Sequence, residues 1–134
     1  MNAEKLKRAI ELSEKGGSIF VGTADKMGNP HIAAAANLSG ANENYASVTE
    51  WFCSGSVSNL EENKNLSIVV WDKDIDLGYQ FSGRLEKIVD LGVLDGYLPG
   101  EESGGPMPQV RRELLVRVEK ITDFKLGPHS DVEE

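Results

Sequence analysis

The first segment of the chain has the three-to-four-residue spacing of apolar positions that an amphipathic helix requires. The apolar residues on this face are Leu6, Ala9 and Ile10. Asn2 can cap the start of the helix, and the glycines at positions 16 and 17 can end it. The pattern therefore predicts an N-terminal helix within residues 1–16, with a narrow apolar stripe suited to lying on a sheet edge.

After this helix the apolar spacing changes to the two-residue alternation of β-strands, in short segments separated by turns. In the longest segment Tyr79, Phe81 and Leu85 alternate with polar residues. Six segments are predicted as strands: residues 18–23, 31–38, 45–53, 66–71, 79–89 and 114–119. Regular short strands joined by turns favour an antiparallel barrel, because closure removes exposed strand edges.

A second, short helix is predicted after the third strand. Ser58 and Glu61 have the spacing of a capping box, in which the two residues satisfy free N–H groups at a helix start. The predicted fold class is therefore mainly β, or α+β by count. It is a six-stranded antiparallel barrel with a leading helix and a short helix after the third strand.

The remaining segments fit one domain over residues 1–134. Residues 91–98 are predicted as a short helix, and residues 99–109, rich in glycine and proline, as a loop. The polar residues 127–134 are predicted to form a flexible tail.

Composition and charge narrow the class of protein. The chain is 40% apolar and 27% charged with a net charge of −8, typical of a soluble globular domain. Its basic pairs, Lys7 with Arg8 and Arg111 with Arg112, have acidic residues close by, so no basic face for nucleic acid is predicted. The single cysteine, Cys53, and a charged N-terminal segment without a signal peptide predict a cytoplasmic protein without a membrane segment.

No metal site is predicted. His31 and His129 are the only histidines, and no cluster of cysteine and histidine has the spacing of metal ligands. His31 is interpreted as a surface residue at the start of a strand. Cys53 is either a reactive thiol or inert packing within an apolar strand.

Ser54, Gly55 and Ser56 form the first candidate binding segment. They lie where a strand ends and a helix begins, so backbone N–H groups and hydroxyls together could hold a phosphate or carboxylate. The alternative is that these residues only form the turn and the helix cap.

Four consecutive alanines form the second candidate. Ala33, Ala34, Ala35 and Ala36 have poor strand propensity, so their place in a predicted strand needs a packing reason. One reason is a bare backbone surface on which a flat aromatic ligand lies. The other is tight packing under the N-terminal helix or a partner subunit. Such a bare face also predicts a homodimer that covers it.

Taken in order, these segments resemble the FMN-binding split-barrel family related to pyridoxamine 5'-phosphate oxidase. The resemblance runs over about half the chain, from residue 19 to residue 89. The matching motifs are residues 28–31 opening the second strand, residues 54–56 ahead of residues 59–65, and residues 79–86. It implies a split barrel that binds FMN in a groove between two protomers, as a small flavin-dependent oxidoreductase.

The resemblance also assigns roles to individual positions. The residues that it places at the cofactor are Ala33, Ala34, Ala35, Ala36, Asn37, Thr49, Glu50, Ser54, Gly55, Ser56 and Gln80. The alanines and Asn37 would flank the ribityl chain and ring through their backbone, with Thr49 and Glu50 beside the flavin. Residues 54–56 match the phosphate clamp, and Gln80 matches a glutamine that meets the cofactor.

Two departures from the family pattern limit the predicted activity. Gly55 and Ser56 stand where the family clamp carries arginine or lysine, and Lys64, Arg84, Arg111 or Arg112 would have to compensate. The tail, residues 125–130, lacks the arginine- and histidine-containing signature of the oxidase, so a true pyridoxamine 5'-phosphate oxidase is not predicted. The alternative is a module on the same fold that binds a deazaflavin or haem, or is not catalytic.

Overall fold

The computed structural model describes residues 2–42, 44–51, 54–93 and 110–127. Within these ranges the chain forms two helices and seven strands. They are α1 (Ala3–Glu14), β1 (Ser18–Ala24), β2 (Pro30–Ala35), β3 (Asn37–Asn42), β4 (Tyr45–Trp51), α2 (Ser54–Glu62), β5 (Asn65–Asp72), β6 (Leu77–Val93) and β7 (Val110–Asp123). The predicted class, an antiparallel, mainly β fold with two helices, is confirmed. None of the helices in the described part of the chain is long and apolar enough to cross a membrane.

Helix α1 begins and ends where its sequence predicts. The side-chain oxygen of Asn2 accepts hydrogen bonds from the backbone N–H groups of Glu4 and Lys5. After the helix, Gly16 takes a φ of 106°, a left-handed conformation that glycine adopts without strain. The helix buries Leu6 on the barrel core and packs against β3, β5 and β6.

The seven strands form one antiparallel sheet in the order β2-β1-β5-β6-β7-β4-β3. Its two edge strands, β2 and β3, are consecutive in the chain and are separated only by Ala36. The predicted second strand, residues 31–38, is therefore divided: its first half pairs with β1 and its second half with β4. Six predicted strands become seven, and the sheet stays open at a seam that Ala36 spans.

Two helix predictions are wrong, and the last strand, predicted over residues 114–119, runs over Val110–Asp123. Helix α2 begins at Ser54 rather than at Ser58, so Ser58 lies inside the helix instead of capping it. Residues 91–93 continue β6, where a short helix over residues 91–98 is predicted, because Val93 pairs with Val110 of β7. Pairing between strands overrides the local helical pattern at this point. Residues 94–98 of the predicted short helix, the predicted loop 99–109 and residues 128–134 of the predicted tail lie outside the described residues.

One hydrophobic cluster fills the space between the sheet and the helices. It takes side chains from α1, α2 and every strand except β2, and its largest fully buried member is Phe81. Lys5 Nζ lies 2.6 Å from Asp123 Oδ1, joining the first turn of α1 to the end of β7. The core thus occupies one face of the sheet, and we call the opposite face of β2, β1, β5 and β6 the outer face.

Candidate functional site

The register of the strands places side chains of the outer face in rows. In the first row Phe20 of β1 lies beside Val69 of β5, and Val69 lies beside Gln80 of β6. On the other side of Phe20, its neighbour on β2 is Ala34. Phe20, Val69 and Gln80 alternate with core residues along β1, β5 and β6, so they point away from the core. The row is apolar up to Gln80, which ends it with an amide.

A second row runs beside the first, and apart from its first member its side chains are small. Ile32, Gly22, Ser67 and Ser82 follow one another across β2, β1, β5 and β6. Ile32 is 71% exposed on the edge strand, a large apolar side chain left in solvent. A methyl group built on Gly22 would meet only Ser67, at 3.9 Å, so the space above this glycine is open.

Two cavities open on these rows and form one continuous depression, which we call the outer groove. A cavity of about 410 Å³ lies over the first row and is lined by Phe20, Val69 and Gln80 among others. A cavity of about 530 Å³ extends toward the turn between β1 and β2. Both are lined by Gly22, Ile32 and Ser67, so they meet along the second row.

The predicted anion-binding segment is brought to one end of the outer groove. Helix α2 packs on β1 and β2, and the Asn59 amide donates to Thr23 Oγ1 at 3.0 Å. A methyl group built on Gly55 would lie 3.2 Å from both Cε1 and Nε2 of His31, which lines the larger cavity. The imidazole of His31 therefore lies against the start of α2. His31 is exposed at the beginning of β2, as predicted.

Ser56, in the first turn of α2, is fully buried. Its hydroxyl has no hydrogen-bond partner among the described residues. Buried polar groups are nearly always paired, because an unpaired one loses its hydration without compensation. An unsatisfied hydroxyl in the first helical turn, whose N–H groups have no acceptor within the helix, is the feature of this segment that most favours a missing partner.

Another set of predicted residues meets at the seam. The Ala36 N–H donates to the Thr49 carbonyl oxygen at 2.8 Å, and Asn37 pairs with Thr49 across β3 and β4. Thr49 is buried, whereas Ala36 and Asn37 are exposed. Glu50 pairs with Arg112 through its backbone. The side chains of Glu50 and Ser54 lie outside the described residues.

The structure thus groups the predicted residues in three places rather than one. Ala36, Asn37 and Thr49 lie at the seam, Gly55 and Ser56 lie at the start of α2, and Gln80 lies in the outer groove. Three strand spacings of about 4.8 Å separate Ala34 from Gln80, roughly 14 Å in all. Ala33 and Ala35 are half-buried and alternate with Ala34, so the alanine run presents two different faces.

Basic side chains are scarce around the outer groove. Of the described residues that line the larger cavity, none is lysine or arginine, and Glu119 is acidic. Of the predicted compensating residues, Arg84 has Nη1 at 3.5 Å from the amide oxygen of Asn65, which lines the cavity, and Lys64 lies between the lining residues Asn63 and Asn65 in the chain. Arg112 Nε instead lies 3.4 Å from Asp90 Oδ1. The groove therefore offers neutral hydrogen-bond donors rather than fixed positive charge.

The C-terminal segment closes the opposite end of the groove. Phe124 lines the smaller cavity with Gln80, and its ring meets Trp71 edge-on with centroids 5.8 Å apart. Beyond it, the backbone N–H groups of Leu126 and Gly127 donate to the two carboxylate oxygens of Asp76 at 2.8 and 3.0 Å. The Leu126 bond, with those from Trp71 and Gly127, lowers the pKa of the Asp76 carboxyl below its ordinary value.

Comparison with solved structures identifies the fold. A protein from Clostridium acetobutylicum related to general stress protein 26 of B. subtilis, of the pyridoxinephosphate oxidase family, superposes with a TM-score of 0.64 and 16% identity, covering 100% of this chain and 96% of that chain. An FMN-binding protein from Syntrophomonas wolfei subsp. wolfei gives a TM-score of 0.65 and 19% identity over 92% of this chain and 88% of that chain. The chain has the split-barrel fold of the pyridoxamine 5'-phosphate oxidase group.

An F420 reductase has the same split barrel, with a TM-score of 0.57 and 17% identity over 84% of this chain and 94% of that chain. No protein-family model matches the sequence, and no curated protein matches it either. The predicted resemblance is confirmed as a likeness of fold.

Several residues of the outer groove are missing from the predicted set, although the sequence carries a signal for them. Ile19, Phe20 and Val21 are consecutive and apolar, as are Ile68 and Val69, so both faces of β1 and β5 carry apolar side chains. An antiparallel strand with one face in water alternates instead. The contribution of Phe124 has no such signal, because it depends on where the chain turns after β7.

Proposed function

We propose that this split barrel binds FMN in the outer groove and acts as a small flavin-dependent oxidoreductase, with a second copy of the chain completing the site in a homodimer. The observation that supports this most is the joining of cavities of about 530 and 410 Å³ on an apolar face that carries one amide side chain. Small-molecule sites typically have volumes of about 300–1,000 Å³ and a few placed polar groups in an apolar lining.

The apolar part of the groove fits the flavin ring. Phe20, Val69 and Phe124 offer apolar surface, and the half-buried Gln80 amide makes no hydrogen bond through its side chain among the described residues. An amide can donate and accept at the polar edge of a heteroaromatic ring. Bound FMN supplies hydride or electron transfer, and the protein's part is to bind and orient it and to limit its contact with water.

The start of α2 fits the phosphate through neutral groups. Ser56 brings an unpaired hydroxyl, α2 brings N–H groups, and His31 lies beside Gly55. Charge-assisted hydrogen bonds are about twice as strong as neutral ones. Replacing a basic clamp residue by a neutral one costs about 1–3 kcal/mol, which is roughly tenfold to hundredfold in affinity. We therefore expect FMN to bind only modestly better than riboflavin.

A homodimer would bring the separated groups of predicted residues to one ligand. The seam residues Ala36, Asn37, Thr49 and Glu50 lie away from Gln80 in one chain, so one ligand meets both most simply when two copies share it. The exposed Ile32, next to Phe20 and Val69, provides an apolar surface for such a contact. In this arrangement the seam of one copy would face the outer groove of the other.

Titration of the purified protein with FMN, followed by quenching of flavin fluorescence, tests the proposal. A matched pair of variants locates the site. Gly22→Leu fills the open space above the second row and should abolish quenching, while Ala41→Leu, on exposed β3, should leave it unchanged. If quenching stays absent up to high micromolar protein, FMN binding is wrong. If Gly22→Leu binds like the parent, the groove is not the site.

A second candidate is a module that binds another planar ligand, a deazaflavin or haem, on the same fold. It is favoured by the F420 reductase among the structures that share this fold and by the lack of lysine and arginine among the described residues that line the groove. Thermal unfolding with a panel of FMN, riboflavin, F420 and haemin separates the candidates, because a bound ligand raises the melting temperature by mass action. A shift with F420 or haemin but not with FMN would favour the second candidate.

A further inference from the structure

We propose that Asp76 is a positioning residue for the ligand of the outer groove, because its carboxylate fixes residues 124–127 and so holds Phe124 as the aromatic end wall. This inference rests on the proposed binding function, since it concerns what the groove presents to its ligand. Asp76 itself lies in the turn between β5 and β6 and is not among the residues that line the groove.

The carboxylate of Asp76 accepts three hydrogen bonds. Oδ1 accepts from the Leu126 N–H at 2.8 Å and from the Trp71 indole at 3.3 Å, and Oδ2 accepts from the Gly127 N–H at 3.0 Å. Asp76 has a φ of 49°, a left-handed conformation in which aspartate and asparagine are strongly enriched. The turn thus aims both carboxylate oxygens at the chain that follows β7.

Phe124, two residues before Leu126, connects the residues held by Asp76 to the groove. The Phe124 N–H donates to the Gly78 carbonyl oxygen at 3.0 Å, and the Phe124 ring packs on Trp71, which shares Asp76 as a partner. Gly78 makes this approach possible. A methyl group there would lie 2.6 Å from the Phe124 carbonyl oxygen and 2.8 Å from Trp71 Cδ1.

The order of the rows places Phe124 at one end of the groove. Gly22, Ser67 and Ser82 form one row, and Phe20, Val69 and Gln80 form the next. Trp71 pairs with Gly78 one row further on, beside Phe124. Phe124 therefore ends the smaller cavity on the side away from the larger one, next to the Gln80 amide. An aromatic ring beside an amide is suited to a planar heteroaromatic ligand.

The hydrogen bonds to Asp76 stabilise little else. Leu126 is 77% exposed, and Lys125 is exposed as well. The segment that Asp76 holds therefore buries little apolar surface of its own beyond Phe124. Three hydrogen bonds to the half-buried carboxylate of Asp76, which is not a member of the hydrophobic cluster, consequently act mainly on the position of the groove wall and not on the core.

A double-mutant cycle tests the inference. Asp76→Asn keeps the shape and the tolerance for a left-handed backbone but places an NH₂ group where one oxygen accepted a bond. Asp74→Asn is the control, since the Asp74 side chain makes no hydrogen bond among the described residues and lies in the same turn. FMN affinity is measured for the parent, for Asp76→Asn, Phe124→Leu and the double variant, and for the control.

We expect Asp76→Asn and Phe124→Leu each to weaken FMN binding by roughly threefold to tenfold, and the double variant to be no weaker than Phe124→Leu alone. Asp74→Asn should bind like the parent. Independent, multiplying losses in the double variant would show that Asp76 does not act through Phe124 and would overturn the inference. So would a loss in Asp74→Asn as large as that in Asp76→Asn.

A second readout without ligand separates this inference from the proposed function. NMR on the free protein follows amide exchange at Leu126 and Gly127 and the contact between the rings of Phe124 and Trp71. We expect Asp76→Asn to speed that exchange and to weaken the ring contact. If the parent binds no flavin, the proposed function fails, and the ring contact alone decides the positioning role. An unchanged ring contact overturns that role whatever the ligand.

Discussion

The backbone N–H of Ala36 donates to the carbonyl oxygen of Thr49 at 2.8 Å, at the residue that joins the two edge strands of the sheet. The bond ties the bend in the chain to β4, so it holds the seam at a fixed width. Both residues belong to the predicted cofactor set, and the structure brings them into direct contact.

Ala36→Pro should lower the free energy of unfolding by about 1–3 kcal/mol, because proline removes this N–H and leaves the Thr49 carbonyl without its donor. Ala36→Ser keeps the N–H at an exposed position and should stay within about 0.5 kcal/mol of the parent. Urea unfolding measures both. Equal stability of Ala36→Pro and the parent would show that the bond contributes nothing to the seam.

Ser56→Ala should separate stability from ligand affinity. Removing a buried hydroxyl without a partner leaves the free protein as stable as the parent or more stable by up to about 1 kcal/mol. If Ser56 serves the ligand, the same change weakens FMN binding, by roughly threefold to tenfold for one neutral hydrogen bond. Thermal unfolding and fluorescence titration measure the two effects.

Ser58→Ala is the matched control, because Ser58 is exposed in the same helix and the change in helix propensity is the same. Its stability should change by no more than about 0.5 kcal/mol, and its FMN affinity should not change. Ser56→Ala with lower stability and unchanged affinity would contradict the interpretation of Ser56 as a ligand group.

Ile32→Glu should convert the proposed dimer into a monomer. In a single chain Ile32 is 71% exposed, so the change costs the fold little, but it places a charge in the proposed apolar contact. Met27→Glu is the control, since Met27 is 82% exposed in the turn before β2 and does not line the groove. Light scattering at micromolar concentration compares both with the 14.6 kDa mass of one chain.

A parent protein that scatters as one chain at these concentrations would already refute the dimer. A parent dimer that both variants preserve would place the contact on a different face.

Stability should fall in acid through two turn aspartates. Hydrogen bonds from Asn29 to Asp25 and from Leu126 to Asp76 lower the pKa of each carboxyl below its ordinary value. A lowered pKa in the folded state means that the stabilisation is present above the unfolded-state pKa, near 3.9, and is lost as pH falls through the folded-state pKa. The window therefore lies below about pH 4.

Asp76→Asn removes one of these two contributions, so its stability should depend less on pH than that of the parent. Urea unfolding of both proteins between neutral pH and pH 3 measures this, and the difference between them should shrink as the pH falls. A difference that grows in acid would contradict the sign of the effect.

The strands with clear alternation could be predicted from the sequence, and the bend between β2 and β3 could not. The spacing of the apolar residues in β6 indicates which face of that strand is buried, and Tyr79, Phe81 and Leu85 are buried there. The four alanines do not indicate which face is buried, because alanine occurs both in cores and on surfaces. The division at Ala36 depends on pairing with β1 on one side and β4 on the other, which local sequence does not encode.

The candidate site, too, could be predicted only in part from the sequence. The segment of residues 54–56 is recognisable as a helix start, yet the capping-box spacing of Ser58 and Glu61 misplaces that start by one turn. The contact of Gly55 with His31 joins residues on different elements, so sequence spacing gives no sign of it. Of the predicted residues, Gln80 is the one that lines the outer groove.

The single residue between β2 and β3 has a mechanical consequence. Because these strands are two halves of one continuous stretch, β2 cannot slide along β1 without pulling β3 along β4. A slip of one position would also turn the core residue Leu38 toward solvent, so the packing of one half fixes the alignment of the other. The connection at Ala36 therefore fixes the register of both edge strands of the sheet at once.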